Sequence, residues 1–309
     1  MSKTQLHITN GGVLTSYLEE LGYKGDILTW HEMLCEGPTT IKIDSDEFLN
    51  KRSRFLNDFY DIEIDENAFK EEIGKLDTHE KYSEIVLWFE YDLFCHINLI
   101  AVISLIKQKN IELPLYLVCS GRVKGSQNLK GLGELTPGQL NAHYNKRILL
   151  KESDIKMSQT LWDIYNGNNH NLFKPYIVKS SSFDYLSNCL KAHLKRFPNS
   201  KSGLSTLEAN ILEIIDKNVI KSKHHLLGYA LNYQGFYGFG DLQLERIINQ
   251  LSAFFTETEK EITLNKKGYE ALLEQHNFSN EINDAMVFGA SKKMDFQFSK
   301  QENKLVKTI

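Results

Sequence analysis

The run Trp88-Phe89-Glu90-Tyr91-Asp92 sets two carboxylates where one apolar segment meets the start of another. Burial at such a junction disfavours the charged form, and mutual repulsion raises one carboxyl further, which suits proton transfer near neutral pH. His96 follows Asp92 by four residues, one helical turn on, and shares its helix face. Glu90, Asp92 and His96 are therefore the candidate catalytic set. The structural alternative is that Asp92 caps a helix while Glu90 pairs with a surface lysine.

Further candidates sit where other strand-like segments end. Asn10-Gly11-Gly12 offers backbone N–H groups and a helix start to an anion, or is a plain strand-to-helix turn. His7 lies on the same segment, and a lone strand histidine is more often packed than reactive. Glu32 and Glu36, in Trp30-His31-Glu32 and Glu36-Gly37-Pro38, could orient a ribose, hold a metal through water or act as a base; a polar loop needs the same residues. Ser120-Gly121-Arg122 with Lys124 could clamp a phosphate or carboxylate, or form an exposed basic loop. The candidate ligand-binding set is thus His7, Asn10, Gly11, Glu32, Glu36, Ser120 and Arg122.

Several chemistries find no pattern. There is no G-x-G-x-x-G, no Walker lysine and no G-x-S-x-G elbow. Cys35, Cys95, Cys119 and Cys189 are far apart and include no C-x-x-C pair, so neither a structural zinc site nor a disulfide framework is expected. No metal-ligand set is assigned, and no cofactor is named by the residues.

The elements that must position these groups follow from periodicity. Strands are expected at Gln5–Asn10, Gly25–Trp30, Glu84–Phe89 and Leu113–Cys119, alternating with helices near Leu14–Leu21, Asp44–Leu76 and Leu93–Lys107. Such alternation predicts a parallel sheet with helices on its faces, a Rossmann-like three-layer α/β domain over residues 1–135. Ligands in these sheets bind beyond the carboxyl ends of the strands, where the candidates fall. Thr136-Pro137 opens a helical connector over 136–200 that ends in the linker Pro198–Gly203. The capping box Ser205-x-x-Glu208, the amphipathic run Asp241–Leu251, a small hairpin at Phe254–Leu264 and a closing helix predict a winged-helix-like α+β domain over 201–280. Residues 281–309 are left as a C-terminal tail.

Composition is ordinary: 309 residues, 41% hydrophobic, 25% charged and a net charge of −4. Length alone favours two domains. The charge gives no global footprint for nucleic acid, so contact would rest on a local patch in the second domain, where the run 241–251 carries only Arg246 as a base-reading cation. The start of the chain has no signal-peptide pattern, and the longest apolar stretch, Leu93–Ile106, is too short to span a bilayer. A cytoplasmic protein with no membrane partner is expected.

Leu6-His-Ile-Thr-Asn-Gly11, Gly25-Asp-Ile-Leu-Thr-Trp-His-Glu-Met-Leu-Cys-Glu-Gly-Pro38 and Leu87-Trp-Phe-Glu-Tyr-Asp-Leu-Phe94 resemble the bacterial domain-of-unknown-function family numbered 1835. Gly203–Glu208, Gly240–Leu244 and Thr263–Gly268 resemble the partner domain that often follows it. The resemblance extends to about residue 275 and implies an intracellular bacterial protein, without implying an activity. Gly12 departs from the family pattern, which has an acidic residue after Asn-Gly. The residues themselves point to a small polar, nucleotide-like ligand at the sheet's carboxyl edge, with hydrolase or transferase chemistry. The alternative is a ligand-responsive transcription regulator using its second domain on DNA or protein.

Overall fold

The computed structural model describes residues 3–308. The first half runs β1 (Thr4–Asn10), α1 (Gly12–Glu20), β2 (Asp26–Trp30), a two-residue β3 (Gly37–Pro38), α2 (Asp46–Tyr60), α3 (Glu66–Gly74), β4 (Tyr82–Phe89), α4 (Leu93–Gln108) and β5 (Leu115–Cys119). After it come α5 (Pro137–Asn145), a short β6 (Ile148–Leu149), α6 (Glu152–Tyr165), α7 (Lys174–Ile177) and α8 (Leu186–Leu194).

The main sheet has the order β2-β1-β4-β5-β6; its first four strands are parallel and β6 is antiparallel to β5. The chain leaves β1 toward β2 and then returns to place β4 on β1's other side. That reversal makes the carboxyl ends of β1 and β4 the switch point of the sheet, the edge at which ligands bind in sheets of this kind. Both faces of the sheet are covered. Ile85, Leu87 and Phe89 of β4 join one core with α4, whereas Val86 and Trp88 join a second with Leu14 and Leu18 of α1 and Leu140 of α5. Coverage on both faces is why the β4 run is continuously apolar instead of alternating. Helix α4 is enclosed by the sheet, α6 and α8, so it has no polar stripe.

Some expectations needed revision. The helical segment Asp44–Leu76 holds two helices: Asp61, with φ of 53°, ends α2, and Asp65 restarts the chain by capping the Asn67 and Ala68 N–H groups of α3. The expected linker Pro198–Gly203 is pinned in place. Ser200 N–H donates to the Phe298 carbonyl, and Ser202 accepts from Phe278 N–H.

The second half comprises α9 (Thr206–Lys217), α10 (Lys223–Tyr233), α11 (Asp241–Gln250), the hairpin β7 (Phe255–Glu257) and β8 (Ile262–Leu264), and α12 (Lys266–Leu272). Helix α10 reaches into the Gly/Tyr-rich stretch from Gly228, whose glycine obscured its pattern. The end of the chain carries α13 (Ser279–Ile282), β9 (Val287–Gly289), β10 (Ser291–Lys292), β11 (Phe296–Ser299) and β12 (Lys304–Lys307). Strand β9 pairs in parallel with β3, returning the C-terminal segment to the first half. Among the described residues no helix is long and apolar enough to cross a membrane.

Candidate functional site

Strands β1 and β4 deliver the site. Asn10 ends β1; Glu90 and Tyr91 form the turn after β4, and Asp92 is the N-cap of α4. The Asp92 Oδ1 accepts from Cys95 N–H at 2.8 Å, so the capping role foreseen for it is present. Asn10 donates from Nδ2 to Cys95 Sγ at 3.1 Å and accepts from Asn98 Nδ2 at 2.8 Å. Asn98 also donates to the Glu32 carbonyl and accepts from Leu34 N–H. One buried amide on α4 thereby holds the ends of β1 and β2 in register.

The two carboxylates have unusual surroundings. Glu90 is half-buried, and its Oε1 accepts from Leu132 N–H at 2.5 Å. Asp92 is 6% exposed and lies beneath Gly238, whose φ of 68° and lack of a Cβ let the backbone rest on the carboxyl. The loop carrying Gly238 also closes the start of α4: Leu93 N–H donates to Phe236 O at 2.8 Å and Phe94 N–H to Tyr237 O at 3.1 Å. Gln234 braces that loop through both directions of its amide, to and from Phe239.

No ion pair reaches Glu90 or Asp92 among the described residues. Burial pushes the Asp92 carboxyl up to about 7, opposed by the Cys95 N–H and reinforced by the Glu90 charge. Burial likewise raises Glu90, against the N–H groups of Leu132 and Gly133 and with help from Glu134. Glu90, Asp92 and Cys95 each point one ligand atom to a common place, all within 4.8 Å of one another. Two oxygens and a sulfur would suit a borderline cation such as zinc. Without a cation the thiol stays protonated, since burial, then Asp92 and Glu90, push it well above its ordinary value.

His96 does not join this group. It is 2% exposed, and its Nδ1–H donates to the Asp92 carbonyl at 2.9 Å within the helix. Burial pushes it down to about 4, so the ring is neutral at pH 7. Its Nε2, left as a bare acceptor, has no partner and is not one of the converging atoms.

The ligand-binding candidates divide. His7 is fully buried on the α1–α5 face, donating from Nε2 to Lys24 O and accepting from Trp88 Nε1 at Nδ1, a packed histidine remote from the carboxylates. Glu32 pairs with Arg52 Nε at 3.0 Å, and Glu36 accepts from Arg246 at 2.9 Å, from Gln243 at 3.1 Å and from the Tyr60 hydroxyl. Both carboxylates are thus committed to the protein itself. Arg246 is committed with them, which removes the cation expected to read a base. Gly11, with φ of 99°, turns the chain into α1, whose first turn has no side-chain cap. Ser120 and Arg122 lie beyond β5 in a cleft of about 600 Å³ that neither Glu90 nor Asp92 lines.

Cys95, Asn98 and the Phe236–Gly238 loop were not picked out from sequence. The Glu90-x-Asp92-x-x-Cys95 spacing was a usable signal, because a strand-to-helix turn brings those positions together. The loop had none, being more than a hundred residues away. No known family model matches the chain, and no curated protein does.

Proposed function

We propose that this protein binds a small polar, nucleotide-like ligand at the carboxyl edge of its parallel sheet and carries out hydrolysis or group transfer there. The observation that carries the reading is the pair Glu90, half-buried, and Asp92, buried, with no cation paired to either among the described residues. A fold keeps such a pair at a cost, and a carboxyl poised near pH 7 is matched to proton transfer at neutral pH. Asp92 is the group that takes a proton from an attacking water or hydroxyl. Glu90, the more accessible of the two, faces the ligand and keeps Asp92 basic through its charge. Asn10 holds Cys95 and the end of β1 in place beside them.

The fold belongs to the same proposal. We read the β2-β1-β4-β5 order with its flanking helices as Rossmann-like. Helices α9 to α11 followed by the β7–β8 hairpin, with Ile220 bridging to Ile262, are read as winged-helix-like. That second module acts here as a lid, since its Gly238 loop closes over Asp92. Membership of the family numbered 1835, and an intracellular bacterial setting, rest on the sequence resemblance. The regulator reading has no observation in its favour once Arg246 is paired internally.

The test is a turnover screen of nucleoside phosphates and nucleosides across pH 5 to 9. A base with its midpoint at about 7 gives a rate that rises through neutrality and levels above it. Asp92→Asn keeps a capping oxygen and should lower the rate by about 10²–10⁴-fold. Full activity in that variant, or no turnover of any compound, would sink the proposal.

A further inference from the structure

We propose that the cleft beyond β5 binds a small phosphorylated molecule of nucleotide size. It rests on reading the sheet's carboxyl edge as a ligand site, and not on proton transfer by Glu90 and Asp92. The cleft encloses about 600 Å³, within the range of small-molecule sites and far larger than a bare phosphate requires. Arg122 and Lys124 enter it from the segment after β5; His143 and Lys146 enter from the last turn of α5 and its cap. Arg122, Lys124 and Lys146 are exposed and have no ion pair among the described residues. Asp184 is the single carboxylate in the lining, so the field in the cleft is positive and selects anions.

Ser120 supplies an independent indication. It is 1% exposed, it lines the cleft, and its hydroxyl has no hydrogen-bond partner. A buried hydroxyl left unpaired costs about 1–3 kcal/mol, a cost that a phosphate oxygen reaching it from the cleft would remove. The backbone that carries Arg122 is held in place. The Arg122 N–H donates to the Tyr185 hydroxyl at 3.0 Å, and Lys130 N–H donates to Gly121 O at 2.9 Å. Gly121 has φ of 148°, and any Cβ there would strike the Tyr185 ring. A guanidinium and two ammonium groups lining one cleft fit the three oxygens of a phosphate monoester better than one carboxylate.

The experiment is calorimetric titration of the full chain at low salt with AMP, ribose 5-phosphate, inorganic phosphate, adenosine and citrate. At least one of the two phosphate esters should saturate a single site, roughly tenfold or more tighter than adenosine and citrate. Arg122→Ala combined with Lys146→Ala should weaken that binding by about tenfold or more, and Ser120→Ala by roughly three- to tenfold. Both cations are exposed, so thermal unfolding of the double variant should match wild type and exclude misfolding. No saturable binding of either ester overturns the assignment, as does citrate binding as tightly as AMP or undiminished affinity in the double variant. The Asp92 midpoint, followed by NMR in the double variant, should match that of wild type, and a moved midpoint would show that the carboxylate pair and the cleft are one site. Failure of the cleft and failure of the carboxylate pair are thereby read separately.

Discussion

Two groups of buried carboxylates in this molecule live by opposite electrostatics. In one, Glu32 meets Arg52, Glu36 meets Arg246, and Lys293 bridges Glu208 and Asp284, with the Arg246 guanidinium 3.7 Å from Asp284. In the other, Glu90 and Asp92 have a thiol, an amide and backbone N–H groups nearby, and no cation among the described residues. Burial by itself would raise Asp284, yet Lys293 and Arg246 hold its carboxyl below the ordinary value. Burial raises Asp92 to about 7 because nothing opposes it with a full charge. The first group fastens residues from four distant stretches of chain into one body. The second stores a charge that the fold would shed if stability were its only use.

The largest effect should come from cutting the paired group. Lys293→Met strands Glu208 and Asp284 in the interior, and urea unfolding at pH 7 should show a loss of about 3–5 kcal/mol. A loss under about 1 kcal/mol would show that these buried ion pairs contribute little to stability.

Asp92→Asn should move stability the other way. The Asp92 carboxyl has its folded value at about 7, above its ordinary 3.8, so the native state holds the proton more tightly than the unfolded chain does. Its contribution is therefore undiminished below pH 4 and declines as pH rises to 7, by up to about 4 kcal/mol. The variant removes that decline, so it should gain stability over wild type at pH 8 and show no gain at pH 4. Asp284, with its value depressed, has the reverse dependence: its stabilisation is present above pH 4 and is lost on acidification. A wild type more stable than Asp92→Asn at pH 8 would erase the contrast between the two groups.

The smallest effect tests the coupling inside the unpaired group. Glu90→Gln removes one charge beside Asp92 and should lower the Asp92 midpoint by roughly half a unit in an NMR titration. An unchanged midpoint would mean that the two carboxylates titrate independently, leaving burial as the sole cause.

Much of this was readable in advance, for a definable reason. The strand at Glu84–Phe89 announced itself by an unbroken apolar run, and Asp92 by its place before a second one. Thr136-Pro137 and Ser205-x-x-Glu208 marked the starts of α5 and α9 because capping is a transaction among residues three apart. Glu36 misled, since a carboxylate after a strand looks the same whether it awaits a ligand or an arginine two hundred residues on. His96 looked reactive by type and His7 was weighed as a packed strand histidine; their hydrogen bonds to the Asp92 carbonyl, Trp88 and Lys24 leave both as neutral packing groups.

What the sequence by itself determined is therefore what near neighbours decide: the strands, the helix starts, and two carboxylates at the junction of β4 and α4. Only the tertiary structure decided which buried charges are compensated. Pairing depends on the approach of Arg246 to Glu36 and of Lys293 to Asp284 and Glu208, and among the described residues no cation approaches Glu90 or Asp92 in that way. A buried charge is governed by whatever lies within a few ångströms of it, and in a folded chain those neighbours come from anywhere along its length.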